Sequence, residues 1–214
     1  GEKKLLDWYK TELGDLKVEI RLRTEATPEL IQKNNPDAVI VATGSKYIRL
    51  NVPGADRPSV ISACDFLSGK TQAGQRVVVI GGGQVGCEIS LWLSQQGKKV
   101  TVVEKLDDLL IGRPIPWMNR VMLLDLLKFH KVDMRTNCSL SEVTEEGAVL
   151  SHKDSRKETV LADTVIIAVG LEPEQGIYRS LRGSLTNLYL IGDAREAQNI
   201  MNAIWDAYEV ARTI

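Results

Sequence analysis

The stretch Val77–Glu88, VVVIGGGQVGCE, constrains this chain more than any other. Four apolar residues run straight into three glycines, and a helical pattern follows. An unbroken apolar run reads as a strand buried on both faces. A chain that must turn at once from strand into helix needs residues without a Cβ. The glycines fall as Gly81-x-Gly83-x-x-Gly86. The first permits the tight turn, the second lets a pyrophosphate approach the backbone, and the third lets the helix pack close to the strand. Gly82, Gln84 and Val85 complete the turn. The free amides of the helix N-terminus then offer about half a positive charge to phosphates.

A lone glycine pattern is weak evidence, but here the context is present. Arg76–Ile80 reads as a strand, Gln84–Gln96 as a helix closed by Gly97, and Lys99–Glu104 as a second strand. That is a βαβ unit ending on an acid. A carboxylate at Glu104 accepts hydrogen bonds from the adenosine ribose and repels a 2′-phosphate, which favours NAD(H) over NADP(H). Lys105 beside it softens that preference. Glu88 lies on the second turn of the helix, where it either points to the nicotinamide end or faces solvent. Cys87, with no partner cysteine nearby, reads as a packed thiol.

The flanks read as alternating helices and strands. Leu5, Leu6, Tyr9 and Leu13 form one helical face that Gly14 should end. KVEIRLR alternates Val18, Ile20 and Leu22 with charged residues, as a half-buried strand does. Thr27-Pro28 is a helix start, with the helix running to about Asn34. DAVIVATG (Asp37–Gly44) reads as a strand buried on both faces. Ser45–Gly74 reads as a connection with one short helix near Ala63–Ser68. A long helix, Pro116–His130, is expected to turn Met118, Val121, Met122, Leu124 and Leu127 inward, with Asn119, Asp125 and Lys128 outside. After a strand at Val132–Arg135, three short strands separated by tight turns form an antiparallel meander: Leu140–Val143, Ala148–Ser151 and Glu158–Leu161. DTVIIAVG (Asp163–Gly170) echoes DAVIVATG almost word for word. A loop with a short helix, a buried strand in NLYLIGD and a helix over Asn199–Ile214 complete the chain. The echo implies two related α/β domains.

Composition excludes several classes. With 27 basic and 28 acidic residues the formal charge is −1, so no basic surplus points to nucleic acid or an acidic lipid surface. No apolar run approaches the ~20 residues of a membrane helix. Cys64, Cys87 and Cys138 have no metal or C-x-x-C spacing, which fits buried thiols in a reducing cytoplasm. His130 and His152 stand alone, as surface or helix-end histidines do.

In order, DAVIVATGS…VPGADRP, RVVVIGGGQVGCE, VTVVEKLDDL, ADTVIIAVGLEPE and LYLIGDA run through the chain. This set resembles, over essentially the whole length, the C-terminal FAD- and NAD(P)-binding region of the NADH oxidases related to old yellow enzyme. That family includes 2,4-dienoyl-CoA reductase, enoate reductases and trimethylamine dehydrogenase. The resemblance implies an α/β chain of the two-dinucleotide flavoprotein fold: a Rossmann-like NAD(P)-binding domain inserted in a truncated FAD-binding domain. The inner domain would span residues 74–170, with Gly81, Gly82, Gly83, Gln84, Val85, Gly86, Glu88 and Glu104 at the nucleotide. The outer domain would be residues 1–73 plus 171–214. Gly44, Gly170, Gly192 and Asp193 are its flavin-side candidates, Asp193 resembling the aspartate that meets the ribityl chain. The helix start near Asn199–Met201 would lie by the isoalloxazine.

The sequence departs from the family in one respect. It contains one glycine fingerprint, that of the inner domain, where the family has another heading the outer domain. The chain is therefore expected to be a C-terminal piece of a larger enzyme, with Gly1 a remnant of the excision. FMN, a 4Fe-4S cluster and a substrate barrel are expected in the N-terminal part. The piece would hold NAD(H), bind FAD poorly by itself, and could self-associate through exposed apolar surface. Hydride would pass from NADH to flavin in the intact enzyme, with no residue here acting as an acid or base. The alternative is a non-catalytic module holding ADP as a structural ligand, as in trimethylamine dehydrogenase. A thiol–disulfide reductase of this fold would need a cysteine pair that the spacing does not offer.

Overall fold

The computed structural model describes residues 2–112 and 115–214; Gly1 lies outside the described residues. The elements in chain order are α1 (Glu2–Asp15), α2 (Pro28–Asn34), β1 (Val39–Val41), β2 (Ser45–Tyr47), β3 (Val60–Ser62), α3 (Ala63–Leu67), β4 (Arg76–Ile80), α4 (Gln84–Gln95), β5 (Lys99–Val103), α5 (Trp117–Phe129), β6 (Asp133–Arg135), β7 (Cys138–Val143), β8 (Gly147–His152), β9 (Lys157–Leu161), β10 (Thr164–Ile167), β11 (Leu171–Pro173), α6 (Gly176–Leu181), β12 (Leu188–Leu190), a 3-10 turn (Gly192–Ala194) and α7 (Ile200–Ala211).

Five strands pair in the order β3-β10-β4-β5-β6, all parallel. The apolar run of β4 explains why the sheet is covered on both sides. Val77 and Val79 join Ile89, Leu93, Leu123 and Leu127 of α4 and α5 in one buried cluster. Val78 and Ile80 join Leu140, Val143, Ala148 and Leu150 of the meander in another. Successive side chains of a strand point to opposite faces, so four consecutive apolar residues serve two cores at once. The meander β7-β8-β9 is antiparallel, and the helix start at Thr27 is capped by its hydroxyl accepting the Leu30 N–H. The edge strand β3 comes from residues 60–62, upstream of Gly74, so the Rossmann-like sheet draws on the segment read above as a connection.

Four expectations are corrected. Residues 18–23 form no strand, and Leu22 is 80% exposed. A strand needs a neighbour to pair its N–H and C=O groups, and no strand of the described chain lies alongside. β1 and β12 do pair in parallel, but as a two-stranded sheet, so β1 leaves Ile40 exposed and β12 is only half-buried. Helix α1 runs through Gly14 to Asp15, and the left-handed residue that ends it is Lys17, φ 54°. In α5 the buried residues are Leu123 and Leu127, while Met118 is 72% exposed and Met122 58%. Apolar residues surround this helix, so their spacing does not select a face; contact with the sheet does.

The two echoing phrases meet. Gly44 precedes β2 and Gly170 precedes β11, and these strands pair antiparallel. The Ile48 N–H donates to the Gly170 carbonyl (3.2 Å) and the Glu174 N–H to the Gly44 carbonyl (3.0 Å). The chain therefore leaves and re-enters the five-stranded sheet region through one two-stranded link.

Asp163 ties the start of β4 to the approach to β10. It accepts the Arg76 N–H (2.8 Å) and the Arg76 guanidinium (2.6 Å). Those guanidinium hydrogen bonds hold its carboxyl below the ordinary carboxylate range. A lowered folded value means that the contribution is complete above the unfolded value and is lost as pH falls through the folded one. Urea unfolding of Asp163→Asn should therefore show a shallower loss of stability than wild type below about pH 4. Overlaying acid limbs would contradict this.

Candidate functional site

The glycine turn joins β4 to α4. Gly81 has φ +111°, a backbone that side-chain residues rarely adopt, and a Cβ there would lie 2.4 Å from the Ala168 carbonyl oxygen. A Cβ at Gly86 would sit 1.9 Å from the Gly81 carbonyl oxygen, so helix and turn touch backbone to backbone. Gly83 differs: nothing lies within 4 Å of its Cβ position, and it is exposed. It occupies the N-cap of α4 without a side-chain cap. The first helical amides have no intrahelical acceptor. An open glycine at an uncapped helix start is a cradle that fits a pyrophosphate.

Glu104 follows the end of β5. Its Oε2 accepts the Gly82 N–H (2.7 Å) and its Oε1 the Leu106 N–H (3.0 Å). The carboxylate thus stands fixed beside the turn, each oxygen keeping a further lone pair for a hydroxyl donor. Nothing in the spacing of the sequence announces that Glu104 also braces the turn. Gln84 Nε2 donates to Glu88 Oε1 (2.9 Å); both residues are exposed, as is Val85. Lys105 is also exposed.

The flavin-side candidates gather at the link. Ser45 Oγ donates to Asp193 Oδ2 (3.0 Å), and Asp193 Oδ1 accepts the Gln198 N–H (3.3 Å). Gly192 takes φ +57° and donates its N–H to Asp206 Oδ2 (3.0 Å), which is in turn paired to Arg195 (2.7 Å). Asn199 caps α7 through the Asn202 N–H. Gly44, Gly170 and Asp193 are thus brought to one place. Sequence reasoning missed Ser45 and Asp206; a serine after a strand and a helix aspartate carry no positional signal of their own.

Cys87 is buried and its Sγ donates to the Gly82 carbonyl (3.3 Å). Burial, with Glu104 and Glu88 nearby, pushes its thiol up to about 12. Burial also raises Cys138, while Cys64 is exposed. His130 caps the end of α5, and His152 meets Glu158 (3.2 Å). Among the described residues no cluster of three or more His, Cys, Asp or Glu could hold a metal ion, and no helix is long and apolar enough to cross a membrane.

The sequence profile described as pyridine nucleotide-disulphide oxidoreductase matches residues 3–207. Cinnamate reductase of Clostridium sporogenes is 44% identical over 214 residues, covering 100% of this chain and 32% of that protein. NADH oxidase of Thermoanaerobacter brockii is 33% identical over 213 residues, covering 96% of the chain and 32% of the relative. The structure of a 2-naphthoyl-CoA reductase in complex with 2-naphthoyl-CoA superposes with a TM-score of 0.82 at 28% identity, over 97% of this chain and 31% of that one. The chain spans about a third of the length of the curated relatives it matches. Its α/β architecture is that of the two-dinucleotide flavoproteins.

Native alkylation with iodoacetamide at pH 8 should modify Cys64 and spare Cys87, whose thiolate is scarce with the thiol near 12. Rapid native labelling of Cys87 would contradict that burial. Gly86→Ala, forced against the Gly81 carbonyl, should cost about 3 kcal/mol in denaturant unfolding.

Proposed function

The chain belongs to the pyridine nucleotide-disulphide oxidoreductase family, and from that premise we propose that it is the NADH-binding part of a larger flavin-dependent oxidoreductase. The type is that of the NADH oxidases and the enoate and dienoyl-CoA reductases. One observation carries this reading: an open Gly83 at an uncapped helix start, with the Glu104 carboxylate fixed beside it. The names of the relatives, cinnamate reductase and NADH oxidase, support it.

In this reading residues 74–170, with β3 added at the sheet edge, hold the nicotinamide nucleotide. Residues 1–73 and 171–214 form the flavin side. The turn amides from Gly82 to Gly86 bind the pyrophosphate. Glu104 accepts the adenosine ribose hydroxyls and disfavours a 2′-phosphate. Glu88, steadied by Gln84, orients the nicotinamide end. Gly44, Gly170, Gly192 and Asp193 meet the flavin, with Ser45 and Gln198 holding the Asp193 carboxylate. When bound, NADH and FAD supply hydride donation and acceptance, and the protein supplies orientation. FMN, a 4Fe-4S cluster and the terminal acceptor belong to a barrel outside this chain.

Titration of the 214-residue chain with NADH, NADPH and ADP tests the reading. NADH should bind, and more tightly than NADPH. Binding of ADP alone, with no gain from the nicotinamide half, would instead favour a structural nucleotide site. Glu104→Ala should weaken NADH and lower the preference over NADPH about tenfold, the scale of one lost charge repulsion at the edge of a protein. An unchanged preference would remove Glu104 from the ribose.

A further inference from the structure

We infer that Arg120 is a positioning residue for the nucleotide turn, acting through Asp108 as a latch that holds residues 105–112 against Gly82. The inference rests on the reading of that turn as the dinucleotide site.

Gly82 is gripped from both sides. Its N–H goes to Glu104, and its carbonyl accepts the Leu110 N–H (2.8 Å). Leu109 covers it, since a Cβ on Gly82 would stand 2.3 Å from Leu109 Cδ2. Leu109 and Leu110 are both buried. Leu110 adopts φ 59°, the left-handed region, which is an outlier for a bulky residue. Such a conformation persists only where its surroundings over-determine it.

Arg120 supplies the over-determination. It sits in the first turn of α5 with its side chain only 19% exposed. Its Nη2 donates to Asp108 Oδ2 and also to the Leu109 carbonyl (3.3 Å). The other Asp108 oxygen accepts the Leu109 N–H (2.8 Å). One guanidinium therefore fixes the two residues immediately before the strained Leu110. Charge-assisted hydrogen bonds are the stronger kind, and here one Nη2 reaches acceptors on two successive residues. Without it Leu110 can relax toward ordinary backbone and withdraw its N–H from Gly82. The turn then has to be ordered when the nucleotide binds, and affinity falls by that ordering cost.

The test compares wild type, Arg120→Met, Arg120→Lys and Asp108→Asn in the 214-residue chain. Amide hydrogen exchange is followed at Gly82 and Leu110, with Val102 and Ile166 as core references, and NADH is titrated. In Arg120→Met, exchange at Gly82 and Leu110 should quicken about tenfold with the core references unmoved, and NADH should bind about tenfold more weakly. Arg120→Lys, which keeps the charge, should lie between Met and wild type. Unchanged exchange at Gly82 and Leu110 overturns the latch whatever happens to binding. Exchange that quickens equally throughout the sheet also overturns it, because that is loss of packing. Quickened local exchange with unchanged NADH affinity overturns the positioning role alone. A wild type that fails to bind NADH overturns the functional reading, and the positioning role with it.

Discussion

The architecture depends on a contact between two pieces of backbone. The Gly86 position lies 1.9 Å, measured from a would-be Cβ, from the Gly81 carbonyl. Only this approach lets α4 start at the end of β4 and lie back on the sheet. Ile89 and Leu93 then reach Val77 and Val79, and the helix N-terminus is left at the end of β4 with no side-chain cap. Packing and binding geometry thus have the same origin. A bulkier residue would separate helix from sheet and tilt the amides away together.

On the far side of the sheet the meander does the work that helices do in a symmetric α/β layer. Three short antiparallel strands present Leu140, Val143, Ala148 and Leu150 to Val78, Ile80 and Val165. The segment gains a second core without a second set of crossover helices. The remaining elements hang from it through β2 and β11, whose pairing joins Gly44 to Gly170. The two echoing phrases therefore end at the same place in space, where Asp193 also arrives through Ser45.

Local patterns were legible where they were self-sufficient. β4, α4 and β5 follow from an apolar run, glycines and a second run, because each buries its residues against the others. The Thr27 cap is likewise local chemistry. Patterns that need a partner misled. Val18, Ile20 and Leu22 alternate as a strand should, yet no neighbouring strand of the described chain receives them. The α5 stripe was read on Met118, Val121, Met122, Leu124 and Leu127, and apolarity alone cannot choose among several apolar faces; of these Leu127 is buried in the core, and it is joined there by Leu123. β3 has only three residues and little pattern, and it became visible only through its pairing with β10.

The candidate site divides the same way. The sequence by itself determined which residues lack a Cβ and which carboxylate ends the next strand, because steric permission and charge belong to residue types. It therefore determined the turn, the α/β class and the presence of Glu104. Tertiary structure decided what those groups touch: Glu104 on the Gly82 amide, Arg120 on Asp108, Ser45 on Asp193. Such contacts join residues far apart along the chain. Each depends on the packing of whole elements, and no local spacing encodes it.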